Sequence, residues 1–273
     1  MSASLGAWID GVRGDAVPVD DRGLQYGDGL FETILVRGNR ARFLEAHLAR
    51  LTAGLSRLGI AFDGLDALRA EITAACAQAP ALAVLKVIVT RGSARRRGYA
   101  PTTESARRIV SLWPAVELPD VESGVDLRIA RLRIADYSPL AGLKHLNRLE
   151  NVLAAAEDGE GAFEALLLDT RDHIVSGVMS NFFIVQAGVI VTPSVERVGV
   201  AGVMRGIVLR EAPRLGIAVR ERPLSVEDVQ AADEAFITNA RLGVVPARSV
   251  GEHRIRMNPI SLKLRAHIEA LDA

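Results

Sequence analysis

Three lysines stand among the 33 basic residues of this 273-residue chain: Lys86, Lys144 and Lys263. Nearly every other positive charge is an arginine. An amine that has to form a Schiff base cannot be exchanged that way. Guanidinium stays protonated, whereas a lysine can be brought to its neutral form near physiological pH. Lys144 lies in Leu143-Lys144-His145-Leu146-Asn147-Arg148-Leu149-Glu150, and nucleophilic-amine chemistry is the first possibility it raises. Lys86 alternates with apolar residues in Val84-Leu85-Lys86-Val87-Ile88 and reads equally as a solvated strand face or a cleft residue. Lys263 opens a terminal amphipathic helix and reads as solvated.

Four other segments carry residue types that chemistry uses, and each also has an ordinary reading. Asp20 to Thr33 holds three glycines and several charges just before a strand, a pattern that a structured loop alone would explain. In His47-Leu48-Ala49-Arg50-Leu51, Arg50 is either a helix-surface charge or a cation for an anionic group. Gly199-Val200-Ala201-Gly202-Val203-Met204-Arg205 is a glycine-rich helix start, whose amides and positive dipole end suit a phosphate. Arg95-Arg96-Arg97-Gly98-Tyr99 is a basic loop, readable as a solvated turn or as a carboxylate clamp. The five histidines, His47, His145, His173, His253 and His267, show no metal-ligand spacing, and no acidic cluster suggests a cation site, so no metal is expected.

The elements that must position these residues alternate between strand and helix. Ala7–Asp10 with Ala16–Val19, and Leu30–Val36 with Arg40–Phe43, read as hairpins. Apolar residues at Leu44, Leu48, Leu51, Leu55 and Leu58 predict a helix over 45–58, and a second is predicted over 65–77. Strands are predicted at 82–90, 107–113, 126–134, 165–169, 181–186, 189–192, 217–222 and 234–238. Helices are predicted at 148–158, with Leu149, Val152, Leu153 and Ala156 on one face, from 199–205 to about 215, after Ser225, and at 261–271. Residues 117–124, Glu117 to Gly124, read as a linker. The expected organisation is an N-terminal α/β domain at 1–116 and a C-terminal domain at 125–273, with a ligand expected near the boundary.

Composition narrows the function. Acidic and basic residues balance at 33 each, so nothing calls for nucleic acid or an anionic membrane as partner. No apolar run approaches the roughly 18–20 residues that span a bilayer, and the first residues do not resemble a signal peptide, so a cytoplasmic protein is expected. Cys76, the single cysteine, continues the apolar pattern of Leu68 and Ile72 and reads as helix packing.

Taken together and in order, these segments resemble the fold-type IV pyridoxal-phosphate enzymes, the branched-chain aminotransferase-like family. The resemblance runs from Asp21-Arg22-Gly23 to Val245-Pro246. Its most specific parts are Gln25-Tyr26-Gly27-Asp28-Gly29-Leu30-Phe31-Glu32-Thr33, Leu85-Lys86-Val87-Ile88-Val89-Thr90-Arg91-Gly92-Ser93 and the Lys144 segment. The last two are closer to the lyases of that family than to its transaminases. The implied fold is mixed α/β in two domains, a smaller N-terminal α/β sandwich and a larger C-terminal pseudo-barrel domain. The implied cofactor is pyridoxal 5'-phosphate, and the implied assembly is a homodimer. The implied reaction turns a small molecule, aminodeoxychorismate, into 4-aminobenzoate and pyruvate for folate synthesis, with D-amino-acid or branched-chain transamination as the alternative.

Residue by residue, the resemblance makes Lys144 the Schiff-base and acid/base lysine and Thr33 a proton relay. Arg50 would hold the cofactor phosphate together with the backbone of Val203 and Met204 and the loop Thr238-Asn239-Ala240. Tyr26, Arg97 and Tyr99 would meet the substrate, Arg97 as the clamp for a carboxylate. His145, next to the lysine in an extended segment, would point elsewhere and reads as a support of the site or of the fold. One position departs from the family pattern. Five residues before Asn181, where a glutamate usually pairs with the pyridine nitrogen, this chain has Ser176. A hydroxyl cannot hold a pyridinium as a carboxylate does.

Overall fold

The computed structural model describes residues 4–94, 96–101, 105–115, 120, 123–136, 139–159, 161–256 and 259–271. Most of the expected linker, at 117–119 and 121–122, lies outside the described residues, as does Arg95. The chain forms two compact units, one of Met1–Val116 with Lys144–Asn147 and one of Glu117–Leu143 with Arg148–Ala273.

The first unit holds strands β1 (Gly6–Ile9), β2 (Val12–Arg13), β3 (Gly29–Arg37), β4 (Arg40–Ala41), β5 (Leu82–Thr90) and β6 (Arg107–Pro114), and helices α1 (Arg22–Tyr26), α2 (Leu44–Arg57) and α3 (Leu65–Ala77). Its antiparallel sheet runs β2-β1-β6-β5-β3-β4. The α2 helix buries Leu48, Leu51 and Leu55 and packs on β3; each such side chain contributes about 1.5–3 kcal/mol. In α3 the matching stripe is Leu68, Ile72 and Cys76, and burial pushes the Cys76 thiol up to about 11.

The first hairpin departs from expectation. Its second strand is Val12–Arg13, and 16–19 has no strand. Asp10 and Gly11 both take positive φ, at 51° and 83°, and make the tight two-residue turn that suits a hairpin twist. The chain therefore reverses earlier than a turn running to Gly14 would allow.

Lys144–Asn147, read from the sequence as part of the C-terminal domain, groups with the first unit for a hydrogen-bonding reason. Phe31 N–H donates to the Lys144 carbonyl at 3.0 Å and Leu146 N–H to the Gly29 carbonyl at 3.1 Å, with Leu30 opposite His145. The segment thus adds a short antiparallel ladder to the start of β3.

The second unit holds β7 (Val125–Ile134), β8 (Glu164–Asp169), β9 (Ile174–Gly177), β10 (Asn181–Gln186), β11 (Val189–Thr192), β12 (Val219–Glu221), β13 (Glu234–Asn239), β14 (Gly243–Val250) and β15 (His253–Arg254), with α4 (Leu149–Ala156), α5 (Val203–Arg214), α6 (Val226–Gln230) and α7 (Pro259–Ala270). Its mixed sheet runs β12-β11-β10-β13-β14-β7-β8-β9, with β15 beside β14. Leu127, Leu166, Phe182, Ile184 and Ile237 lie in its core. On α4 the expected apolar face is not the packed one: Leu149, Val152 and Leu153 are exposed, and Ala154 is the buried residue. Among the described residues no helix is long and apolar enough to cross a membrane.

Candidate active site

In the first unit the site is built on one strand. Alternation along β3 turns Phe31 and Thr33 to one face and Glu32 to the other. On the Phe31 face the Lys144 amine stands 4.2 Å from the centre of the Phe31 ring, and the Lys86 amine 5.4 Å from the same centre. Thr33 is opposite Lys86 in the register and follows Phe31 by one strand repeat, about 7 Å. Lys86, which the sequence left open, is an exposed residue of this face. His145 is half-buried in its bridge to Leu30.

On the other face, Glu32 is 2% exposed. Its carboxylate accepts from Arg50 Nε at 2.8 Å, from Arg50 Nη2, and from His47 Nδ1 at 2.7 Å. Burial would raise the Glu32 pKa, but the bonds from His47 and Arg50 outweigh it and hold the carboxyl below its usual range. For His47, burial dominates over the attraction of Glu32, and Arg50 and Lys144 add repulsion; its pKa is lowered, which favours the neutral ring. A neutral ring donating from Nδ1 has a bare Nε2, and that atom is buried without a hydrogen-bond partner among the described residues. Arg50 is therefore an oriented arginine, with part of its donor set spent on Glu32. The sequence reading missed the Glu32–His47 brace. Its one available signal was a carboxylate between Leu30 and Ile34 on the inward-facing side of a strand.

Gly27 closes α1 with φ 65°, and a Cβ there would meet Asn147 Oδ1 at 2.4 Å. Asn147 in turn donates to the Gly27 carbonyl at 3.1 Å. This contact keeps the Lys144 segment against the turn that starts β3. Tyr26, at the end of α1, has its ring 5.5 Å from that of Tyr99, and Arg97 is exposed in the same loop as Tyr99.

In the second unit the expected phosphate-binding residues come together around Asn181. Asn181 pairs with Thr238 across β10 and β13, and its Nδ2 donates to the Val200 carbonyl at 2.9 Å. A Cβ on Gly202, the residue capping α5, would lie 2.0 Å from Asn181 Oδ1, so the helix start approaches the sheet only because that position is glycine. The first-turn amides of Val203 and Met204 have no acceptor within their own helix. Among the described residues, the buried Thr238 Oγ1 has no hydrogen-bond partner. Asn239 Oδ1 accepts from the amides of Arg241 at 3.1 Å and Leu242 at 2.8 Å, which turns the chain at Ala240. An orphaned hydroxyl beside a helix start of open amides fits a phosphate group.

Ser176, in β9, is 8% exposed, and its Oγ donates to the Gly177 carbonyl at 2.8 Å. In this rotamer it presents lone pairs, not a proton. Below the following turn lies Glu164, which the sequence reading also missed. It accepts from Met179 N at 2.5 Å and Ser180 Oγ at 2.8 Å. Burial raises its pKa despite those bonds.

A family model described as amino-transferase class IV matches residues 29–250. The chain belongs to that family of enzymes. It is 34% identical over 249 residues to the aminodeoxychorismate lyase of Vibrio harveyi, covering 89% of this chain and 90% of that one. It is 32% identical to a putative branched-chain-amino-acid aminotransferase of Methanocaldococcus jannaschii, over 84% of this chain and 81% of the relative. Among solved structures, 4-amino-4-deoxychorismate lyase from Pseudomonas aeruginosa superposes with a TM-score of 0.91 at 43% identity, covering 98% of this chain and 100% of that one. The mixed α/β, fold-type IV architecture expected from the sequence is the one this chain has.

Proposed function

We propose that the protein is a pyridoxal-phosphate-dependent lyase that converts 4-amino-4-deoxychorismate to 4-aminobenzoate and pyruvate, a step toward folate. The observation that carries this reading is near full-length likeness to two lyases of that reaction, at 34% and 43% identity. Bound pyridoxal phosphate supplies an aldehyde for an amine and a ring that takes up electrons.

The residues then divide the work. Lys144 is the covalent anchor and, as an amine, the base that takes the proton from the amine-bearing carbon of the substrate. Loss of that proton and cleavage of the neighbouring C–O bond leave an aromatic ring and enolpyruvate, and return of a proton to carbon gives pyruvate. Proton transfer of this kind contributes about 10²–10⁴-fold. Thr33, next along the face from Phe31, is the relay. Arg50, the start of α5 at Val203 and Met204, and Thr238-Asn239-Ala240 would hold the phosphate, and Ser176 would take the place of the carboxylate that pairs with the ring nitrogen. Tyr26, Arg97 and Tyr99 take the substrate carboxylates, since a guanidinium meets a carboxylate through two parallel bonds.

The working form is a cytoplasmic homodimer. The exposed apolar residues Leu149, Val152 and Leu153 on α4 support an assembly larger than one chain.

The test is to supply aminodeoxychorismate with no keto acid. Equal amounts of 4-aminobenzoate and pyruvate are expected. Activity only with a keto acid present favours transamination, the second reading, which rests on the likeness to the branched-chain relative.

A further inference from the structure

Arg22 has no part in the chemistry assigned above, yet it is among the most completely engaged side chains of the first unit. It is 3% exposed. Its Nε donates to Asp28 Oδ2 at 2.8 Å, Nη1 to the Gly98 carbonyl at 3.1 Å, and Nη2 to the Tyr99 carbonyl at 2.9 Å. The same Asp28 oxygen also accepts from Arg91 Nε at 2.8 Å, and Arg91 reaches the carbonyls of Gly59 and Leu58, both at 2.8 Å. The Arg22 guanidinium also lies 4.9 Å from the centre of the Tyr26 ring, the ring that neighbours Tyr99.

What this buried fork holds is otherwise an exposed loop. Residues 96–100 are all exposed, Tyr99 at 85%, and Gly98 sits at φ 122°, a conformation in which no side chain helps to fix the backbone. Ordering such a loop at the moment of binding costs affinity, and a group that orders it beforehand recovers that loss. Only a planar guanidinium reaches a carboxylate and two carbonyls at once; an ammonium on a flexible stem does not.

We propose that Arg22 is a positioning residue for the substrate. By holding the backbone of Gly98 and Tyr99 and backing Tyr26, it sets where Arg97 and Tyr99 stand, and so governs affinity for an anionic substrate without touching it. This rests on the lyase reading above, in which those residues meet the substrate carboxylates.

The experiment compares Arg22→Lys and Arg22→Met with the parent, all loaded with cofactor. Native trypsin cleavage after Arg96 and Arg97, mapped by mass spectrometry, reports the loop without reference to activity. Steady-state formation of 4-aminobenzoate gives KM and kcat. In Arg22→Lys, cleavage and KM should each rise about tenfold, the factor that one charge-assisted hydrogen bond supplies, with kcat within about twofold. Adding Arg97→Ala should absorb most of the KM effect, because the two changes act through one contact. Unchanged cleavage overturns the proposal, as does a fall in kcat at constant KM or full additivity with Arg97→Ala. If Arg22→Met does not fold, Arg22→Lys decides alone. Absence of 4-aminobenzoate from the parent overturns the lyase reading instead, and the cleavage comparison then judges the clamp by itself.

Discussion

Glu32 and Arg50 form a two-point ion pair between strand β3 and helix α2, with the carboxylate 2% exposed and Arg50 Nε 2.8 Å from Oε1. The pair neutralises a buried acid and fixes the direction of the cation proposed to hold the cofactor phosphate. Substituting Arg50 disturbs both.

Arg50→Ala is therefore expected to weaken cofactor retention about ten- to a hundredfold and also to destabilise the fold. Stranding a buried charge costs about 3–5 kcal/mol, toward the lower end here because His47 still donates to Glu32. Adding Glu32→Gln to Arg50→Ala should restore most of the stability and none of the retention. Denaturant unfolding and dialysis against buffer without cofactor measure the two separately. If Arg50→Ala retains cofactor like the parent, the arginine is a structural counter-ion only.

The neutral state of His47 gives a pH dependence with a definite sign. Its pKa in the folded protein is lowered from 6.5, so the unfolded chain binds the proton more readily. The corresponding stability is complete above about pH 6.5 and is lost as pH falls below it. Glu32, also lowered, acts in the same direction from about 4.5 downward. Melting temperatures from pH 7.5 to 5.5 should fall less steeply in His47→Gln than in the parent. Equal slopes would mean that His47 is not held neutral.

Borohydride reduction of the yellow holoenzyme should fix the cofactor to Lys144. The Lys86 amine stands 5.4 Å from the centre of the same Phe31 ring, which makes it the informative control. Peptide mapping that places the adduct on Lys86 reverses the assignment of the two lysines.

Thr33→Val should lower turnover while leaving cofactor absorbance intact, because Thr33 lies on the Phe31 face and takes no part in the bonds of Glu32. Unchanged turnover removes it from the proton path.

Ser176 tests the choice between elimination and transamination. Its hydroxyl proton is given to the Gly177 carbonyl, so it brings neither a charge nor a second donor to a ring nitrogen. Elimination, in which the departing group carries away the electrons, asks less of that nitrogen than transamination does. The parent should convert cofactor to the pyridoxamine form very slowly with D-alanine, and Ser176→Glu should accelerate that conversion more than 4-aminobenzoate formation. Rapid conversion by the parent would show that a serine here does not suppress transamination.

Local order was legible from residue spacing. The leucine repeat gave α2, the extents of α3 and β5 agree with the structure, and the scarcity of lysine pointed to Lys144 before any contact was known. The glycines at 199 and 202 marked the start of α5. Spacing says which residues share a face; it does not say what covers that face. Hence α4, with a sound apolar stripe, leaves Leu149 and Val152 exposed. Likewise β14 was missed because Pro246 interrupts its pattern, although the parallel ladder to β7 begins one residue later, at Ala247. The candidate functional side chains were named from the sequence, but the partners they have in the fold were not. Glu32 braces Arg50 from 18 residues away, and Arg22 holds Gly98 and Tyr99 from 76 and 77 residues away. Such hydrogen bonds depend on the meeting of elements distant in the chain, and only the tertiary structure fixes that.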